Sequence, residues 1–100
     1  MNPKEEFIRF VQDNPSYYYI VQSGLFLELL NFICSAAKNT TDIYSHFAGI
    51  ENSDVEEMLQ VLLAAKLISR ARGSDREIYY CTDAARTLIE KYNAAKKFMG

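Results

Sequence analysis

Apolar residues recur at helical spacing along most of this chain, and in one place the period shortens to that of a strand. Within residues 54–82, Val55, Leu59, Leu62 and Leu63 fall on one face of a helix. Ser53, with Glu56 three residues on, reads as a capping box that starts this helix. Leu67 and Ile68 then open a short strand. Arg72, Gly73, Ser74 and Asp75 make a turn, and residues 77–81 return as a strand rich in Ile and Tyr. Thr82 is placed to cap one more helix.

The N-terminal part is helical by the same criterion. Pro3 suits a first helical turn, and Phe7, Phe10 and Val11 share a face. Asn14-Pro15 ends that helix, because a residue before proline avoids the α region. Residues 16–21 admit two readings: the tyrosines and β-branched residues suit a strand, and Ser16 after Pro15 suits a helix start. Helix is favoured, bent near Ser23 and Gly24. Residues 25–37 are a clearer helix, with Leu25, Leu29, Phe32 and Ile33 on one face and Phe26 and Leu30 on a second. A helix apolar on both sides is buried, in the domain or against a second copy. Lys38 and Asn39 end it, and Thr40 or Thr41 caps a short helix bearing Asp42, Ile43, Tyr44 and Phe47. Residues 48–52 form the turn before the helix of Ser53, so the two helices make a helix-turn-helix unit. In the last stretch, Ala85, Leu88, Ile89 and Tyr92 form a stripe that Ala95 and Phe98 extend.

Helix, hairpin, helix in this order resembles the second half of a winged helix-turn-helix domain. Val55, Leu59, Leu62, Leu67 and Ile68 reproduce the register of many winged-helix regulators. After the hairpin such families often read Tyr-x-Leu-Thr-x-x-Gly. Here the text runs Tyr79, Tyr80, Cys81, Thr82, Asp83, Ala84, Ala85, with Cys for Leu and Ala for Gly. The chain is thus similar to small dimeric archaeal and bacterial transcriptional regulators of the MarR, ArsR and PadR kind, over roughly residues 24–92. The resemblance implies a mainly α fold with a small two-stranded β-hairpin: a winged helix-turn-helix with extra N- and C-terminal helices. All of residues 1–100 are expected to form one domain, its core about 24–92, with helices in 3–23 and a tail at 93–100 serving dimerisation or docking. It also implies duplex DNA as partner and transcriptional regulation as function. The expected DNA contacts are Thr40, Thr41 and Ser53 at helix starts, Glu57 and Gln60 on the recognition helix, and Arg70, Arg72 and Arg76 on the wing.

Charge sharpens this expectation. The net charge of −2 does not suit a protein that coats DNA nonspecifically, so contact must come from a local patch. The hairpin supplies one, with Lys66, Arg70, Arg72 and Arg76 against Asp75. The face of the preceding helix carries Asp54, Glu56 and Glu57, which leaves a second reading open: a winged-helix adaptor that binds a protein and has little affinity for DNA. Tyr17, Tyr18, Tyr19, Phe26, Leu30, Tyr92 and Phe98 are interface-type residues, and a homodimer built on them is expected.

Enzymatic chemistry finds little support. His46, the one histidine, reads as a solvated residue on the polar side of a short helix. Gly-rich phosphate loops, metal-ligand spacings and nucleophile elbows are absent from the sequence, and neither cofactor nor metal is expected. Cys34 and Cys81 fall at apolar positions of predicted elements, which favours buried, reduced thiols over a disulfide or zinc site. The longest apolar run, interrupted by Glu28, is too short to span a bilayer, and the N-terminus lacks a signal-peptide pattern. A soluble, cytoplasmic protein is the expectation.

Overall fold

A computed structural model of the chain describes residues 2–73 and 75–98. Helix α1 spans Pro3–Asp13, a 3-10 turn Pro15–Tyr17, α2 Tyr18–Gln22 and α3 Gly24–Ser35. Strand β1 (Lys38–Asn39) leads into α4 (Thr40–His46) and α5 (Asn52–Ala64). Strands β2 (Ile68–Arg72) and β3 (Glu77–Cys81) form the hairpin, and α6 (Asp83–Lys96) follows. This is the mainly α, winged-helix order that the sequence implies, and residues 16–21 take the helical reading.

The sheet has one strand more than expected. β1 pairs with β3 through Lys38 opposite Tyr79 and Asn39 opposite Ile78, giving the antiparallel order β1-β3-β2. Two residues carry no readable period, so this strand exists only through its distant partner. It also moves the cap of α4. Asn39, not Thr40 or Thr41, accepts from Asp42 N at 2.8 Å while its own N–H donates to Asp42 Oδ2 at 3.2 Å.

The expected capping box at Ser53 is not formed. The N-cap lies two residues earlier, at Glu51, without a side-chain bond, and Ser53 lies inside the first turn. Thr82 behaves as expected. Its Oγ1 accepts from Ala85 N at 3.3 Å and lies 2.8 Å from the Lys66 carbonyl and 3.0 Å from that of Leu67, the hydroxyl's acceptors. One threonine therefore starts α6 and ties it to the corner between α5 and β2. That corner is a Schellman turn: Leu67 N donates to Leu62 O and Lys66 N to Leu63 O, both at 3.0 Å. Lys66 sits at φ 60°, the left-handed position usually filled by Gly.

The buried side chains form one cluster around Leu29, Leu30, Ile33, Leu59, Leu62 and Tyr79. Met58 joins Val55, Leu59 and Leu62 on the inner face of α5, and Leu63 lies at its margin. α1 lies along α6, with Phe7 and Tyr92 edge to face at 5.7 Å. Leu30 is fully buried and Tyr17 nearly so, packed on Phe10. Both therefore belong to the chain's own core rather than to a free surface.

The expectation of two reduced thiols is overturned. Cys34, in the last turn of α3, and Cys81, at the end of β3, form a disulfide with their Cα atoms 4.7 Å apart. Each falls at the margin of the core, and a sequence separation of 47 hides their proximity from the sequence.

Candidate nucleic-acid interface

The outward face of α5 is defined by what its inner face buries. With Val55, Met58, Leu59 and Leu62 turned inward, Ser53, Glu57, Gln60 and Ala64 run along the exposed side. Gln60 and Ala64 reach a cleft of about 580 Å³ between α5 and β2, whose lining includes Lys66, Ser69 and Arg70. The cleft thus joins two expected contact residues, Gln60 and Arg70, with Lys66 of the basic patch, and adds Ser69.

Strand alternation sets the hairpin's sidedness. Arg70 and Arg72 lie two apart and so share a face with Ile68, which is buried in the core. Arg70 stands opposite Tyr79, and Arg72 opposite Glu77. Beyond the core's edge this face carries both arginines on the side where α5 packs. Arg70 Nη1 is 3.9 Å from Glu77 Oε2, and Arg76 Nε is 3.4 Å from Asp75 Oδ1. Among the described residues, no carboxylate lies within ion-pair distance of Arg72. The turn closes with Gly73 N donating to Arg76 O at 2.7 Å; Ser74, part of the expected turn, lies outside the described residues.

Thr40 is half-buried and Thr41 exposed in the first turn of α4, so the structure places Thr41 at the surface more fully. Ser53 and Glu57 are exposed on α5. Glu56 is engaged within the protein. Its Oε2 accepts from Tyr44 Oη at 3.3 Å and its Oε1 from Gln60 Nε2 at 3.1 Å. Burial, reinforced by this carboxylate, pushes the Tyr44 phenol above its ordinary range. Burial likewise raises Tyr79, whose Oη donates to Glu77 at 3.2 Å, with Arg70 opposing the shift and Glu56 and Glu77 adding to it. Both phenols stay protonated and remain donors.

His46 is less free than its sequence position implies. Its ring stacks on Phe32 with centroids 3.9 Å apart, and its Nε2 lies 3.4 Å from Glu28 Oε1. These contacts join α4 to α3. Among the described residues, no group of three or more metal-ligating side chains comes together.

Of the residues expected at a dimer interface, Tyr18, Tyr19 and Phe98 are exposed at 52%, 76% and 55%. Phe26 and Tyr92 are half-buried against the core. Beside the tyrosines lies an apolar groove of about 240 Å³, lined by Phe7, Ile8 and Val11 of α1 and Tyr18 and Val21 of α2. No helix among the described residues is long and apolar enough to cross a membrane.

No family model matches the chain, and no curated protein matches it. Among solved structures it is similar to one described as an ArsR family transcriptional regulator. That likeness has a TM-score of 0.63 at 9% identity and covers 99% of this chain and 95% of the other. At that identity it speaks for the fold: a mostly helical winged helix with a three-stranded antiparallel sheet, matched over nearly its whole length.

Proposed function

We propose that this chain is a DNA-binding transcriptional regulator that docks on the duplex with the outer face of α5 and the arginine-bearing face of its hairpin. The observation that carries the reading is the cleft that places Gln60 of α5 beside Lys66 and Arg70. A base-reading side chain and phosphate-binding cations then face one groove edge together. Thr41 and Ser53 add hydroxyls near helix starts, where phosphates are favoured, and Arg72 and Arg76 reach further along the backbone. Full-length likeness to a structure described as a transcriptional regulator supports the same reading.

Two copies address two half-sites in this proposal. Tyr18, Tyr19, Phe98 and the groove between α1 and α2 supply the apolar surface a homodimer needs, on elements separate from α5 and the hairpin. A role on chromosomal DNA places the chain in the cytoplasm. The disulfide is compatible with that compartment in organisms whose intracellular proteins retain disulfides, as those of hyperthermophiles do.

The test is fluorescence anisotropy of a labelled mixed-sequence duplex, with sedimentation of the same sample to report a dimeric mass. If Lys66, Arg70, Arg72 and Arg76 each neutralise one phosphate, affinity falls about 150-fold per protomer between roughly 50 and 200 mM salt. Replacing Arg72 and Arg76 with Glu removes binding at the higher salt. A folded protein that leaves the duplex free at the lower salt overturns the proposal and favours a protein-binding adaptor, whose docking on Tyr18 and Tyr19 the arginine changes would spare.

A further inference from the structure

Glu56 is one of three carboxylates near the start of α5, and its two contacts bear on how that helix would choose a sequence. An ionised carboxylate only accepts hydrogen bonds. The 3.1 Å contact between Glu56 Oε1 and the Gln60 amide must therefore use the amide nitrogen, which turns Gln60 Oε1 away from Glu56. The other carboxylate oxygen is held by Tyr44 Oη of α4 at 3.3 Å. Tyr44, Glu56 and Gln60 thus form a relay from the first helix of the helix-turn-helix to the exposed face of the second. Gln60 Nε2 keeps its second N–H, so the amide presents one acceptor and one donor side by side.

In the major groove, guanine offers two acceptors, cytosine a donor, and thymine an acceptor with a methyl group. Adenine offers a donor at N6 beside an acceptor at N7, the complement of the edge that Glu56 leaves open. We infer that Gln60 reads adenine and that Glu56, held by Tyr44, is the positioning residue that fixes its amide for that base. The inference rests on the proposal that α5 faces duplex DNA. It assigns Glu56 to orientation within the protein, leaving Lys66 and Arg70 to meet phosphate.

The experiment is selection from a duplex pool with a randomised core, followed by affinities for matched duplexes that differ at one base pair. The native protein is expected to select A·T at a fixed position and to prefer it about tenfold over G·C there. Gln60→Ala brings that ratio close to one at this position alone. Glu56→Gln, whose amide can donate or accept, lowers the ratio several-fold without reducing the salt slope. Tyr44→Phe removes only a hydroxyl and lowers the ratio less. A merely structural role for Glu56 would weaken every sequence alike, so the single-position ratio separates the two. An unchanged base profile in Gln60→Ala, or a full ratio in both Glu56→Gln and Tyr44→Phe, overturns the inference while salt-dependent binding still upholds the broader proposal. Absence of any duplex retention by the native protein sinks both.

Discussion

Two regions of this molecule are assembled by different kinds of force. Where α3, β3 and α6 meet, covalent and directional bonds are added to the buried core: Cys34 is joined to Cys81, and Thr82 holds the Lys66–Leu67 corner through its hydroxyl and its N–H. Where α1 and α2 cover the body, the contacts are apolar and aromatic: Phe7 on Tyr92, Phe10 on Tyr17, and the Lys91 ammonium 5.4 Å from the Phe10 ring centroid. Directional bonds fix angles, which a hairpin must keep if its arginines are to share a groove with Gln60. Apolar contact fixes proximity more than angle, which suffices for a cover that leaves Tyr18 and Tyr19 exposed.

The largest expected effect comes from breaking the covalent side. A cross-link spanning 47 residues limits the unfolded chain, which in the chain-entropy view contributes about 4 kcal/mol. Cys34→Ser, or full reduction with a dithiol, is expected to lower the unfolding free energy by roughly that amount in a denaturant titration. Unchanged stability under complete reduction would mean that polar bonds and packing hold this corner unaided.

Breaking the apolar side should cost nearly as much, but in a different place. Phe7 is 6% exposed, and Phe7→Ala is expected to cost about 3 kcal/mol from lost burial and the cavity left against Tyr92. Native-state amide exchange should show the loss concentrated in α1 and the end of α6, with β2 and β3 still protected. Equal loss of protection in the hairpin would merge the two regions into one cooperative unit.

The sequence made the second region and the order of elements legible, and much of the first region illegible. Helical periodicity is local, so α1, α5 and α6 could be read from Phe7, Val55 and Leu88 and their neighbours. Tyr18 and Tyr19 were legible as surface aromatics because composition carries that signal, but Tyr17 in the same run turns into the core, which composition alone does not tell. The disulfide and β1 depend on partners about 40 residues away or more, beyond any local pattern. The cap of α5 differs because the N-cap is Glu51, which puts Ser53 inside the first turn, while Tyr44 and Gln60 bond the oxygens of Glu56. In the candidate interface, Arg70 and Gln60 could be named from type and register. Their convergence with Lys66 on one cleft required the fold.

The smallest expected effect joins stability and function at Lys66. A non-glycine residue in the left-handed region carries a strain of about 1 kcal/mol, and Lys66 holds that position at the Schellman turn. Lys66→Gly is therefore expected to raise stability by up to about 0.5 kcal/mol, the rest of the relief being offset by the freer unfolded chain. The same change should weaken duplex binding and reduce the magnitude of the salt slope by about one, because one phosphate contact is lost. Opposite signs for folding and binding would show that a lysine occupies a glycine's position for its charge. A gain in stability with an unchanged salt slope would remove Lys66 from the interface and leave Arg70 as the cleft's phosphate contact, narrowing the directional corner's role to holding the hairpin.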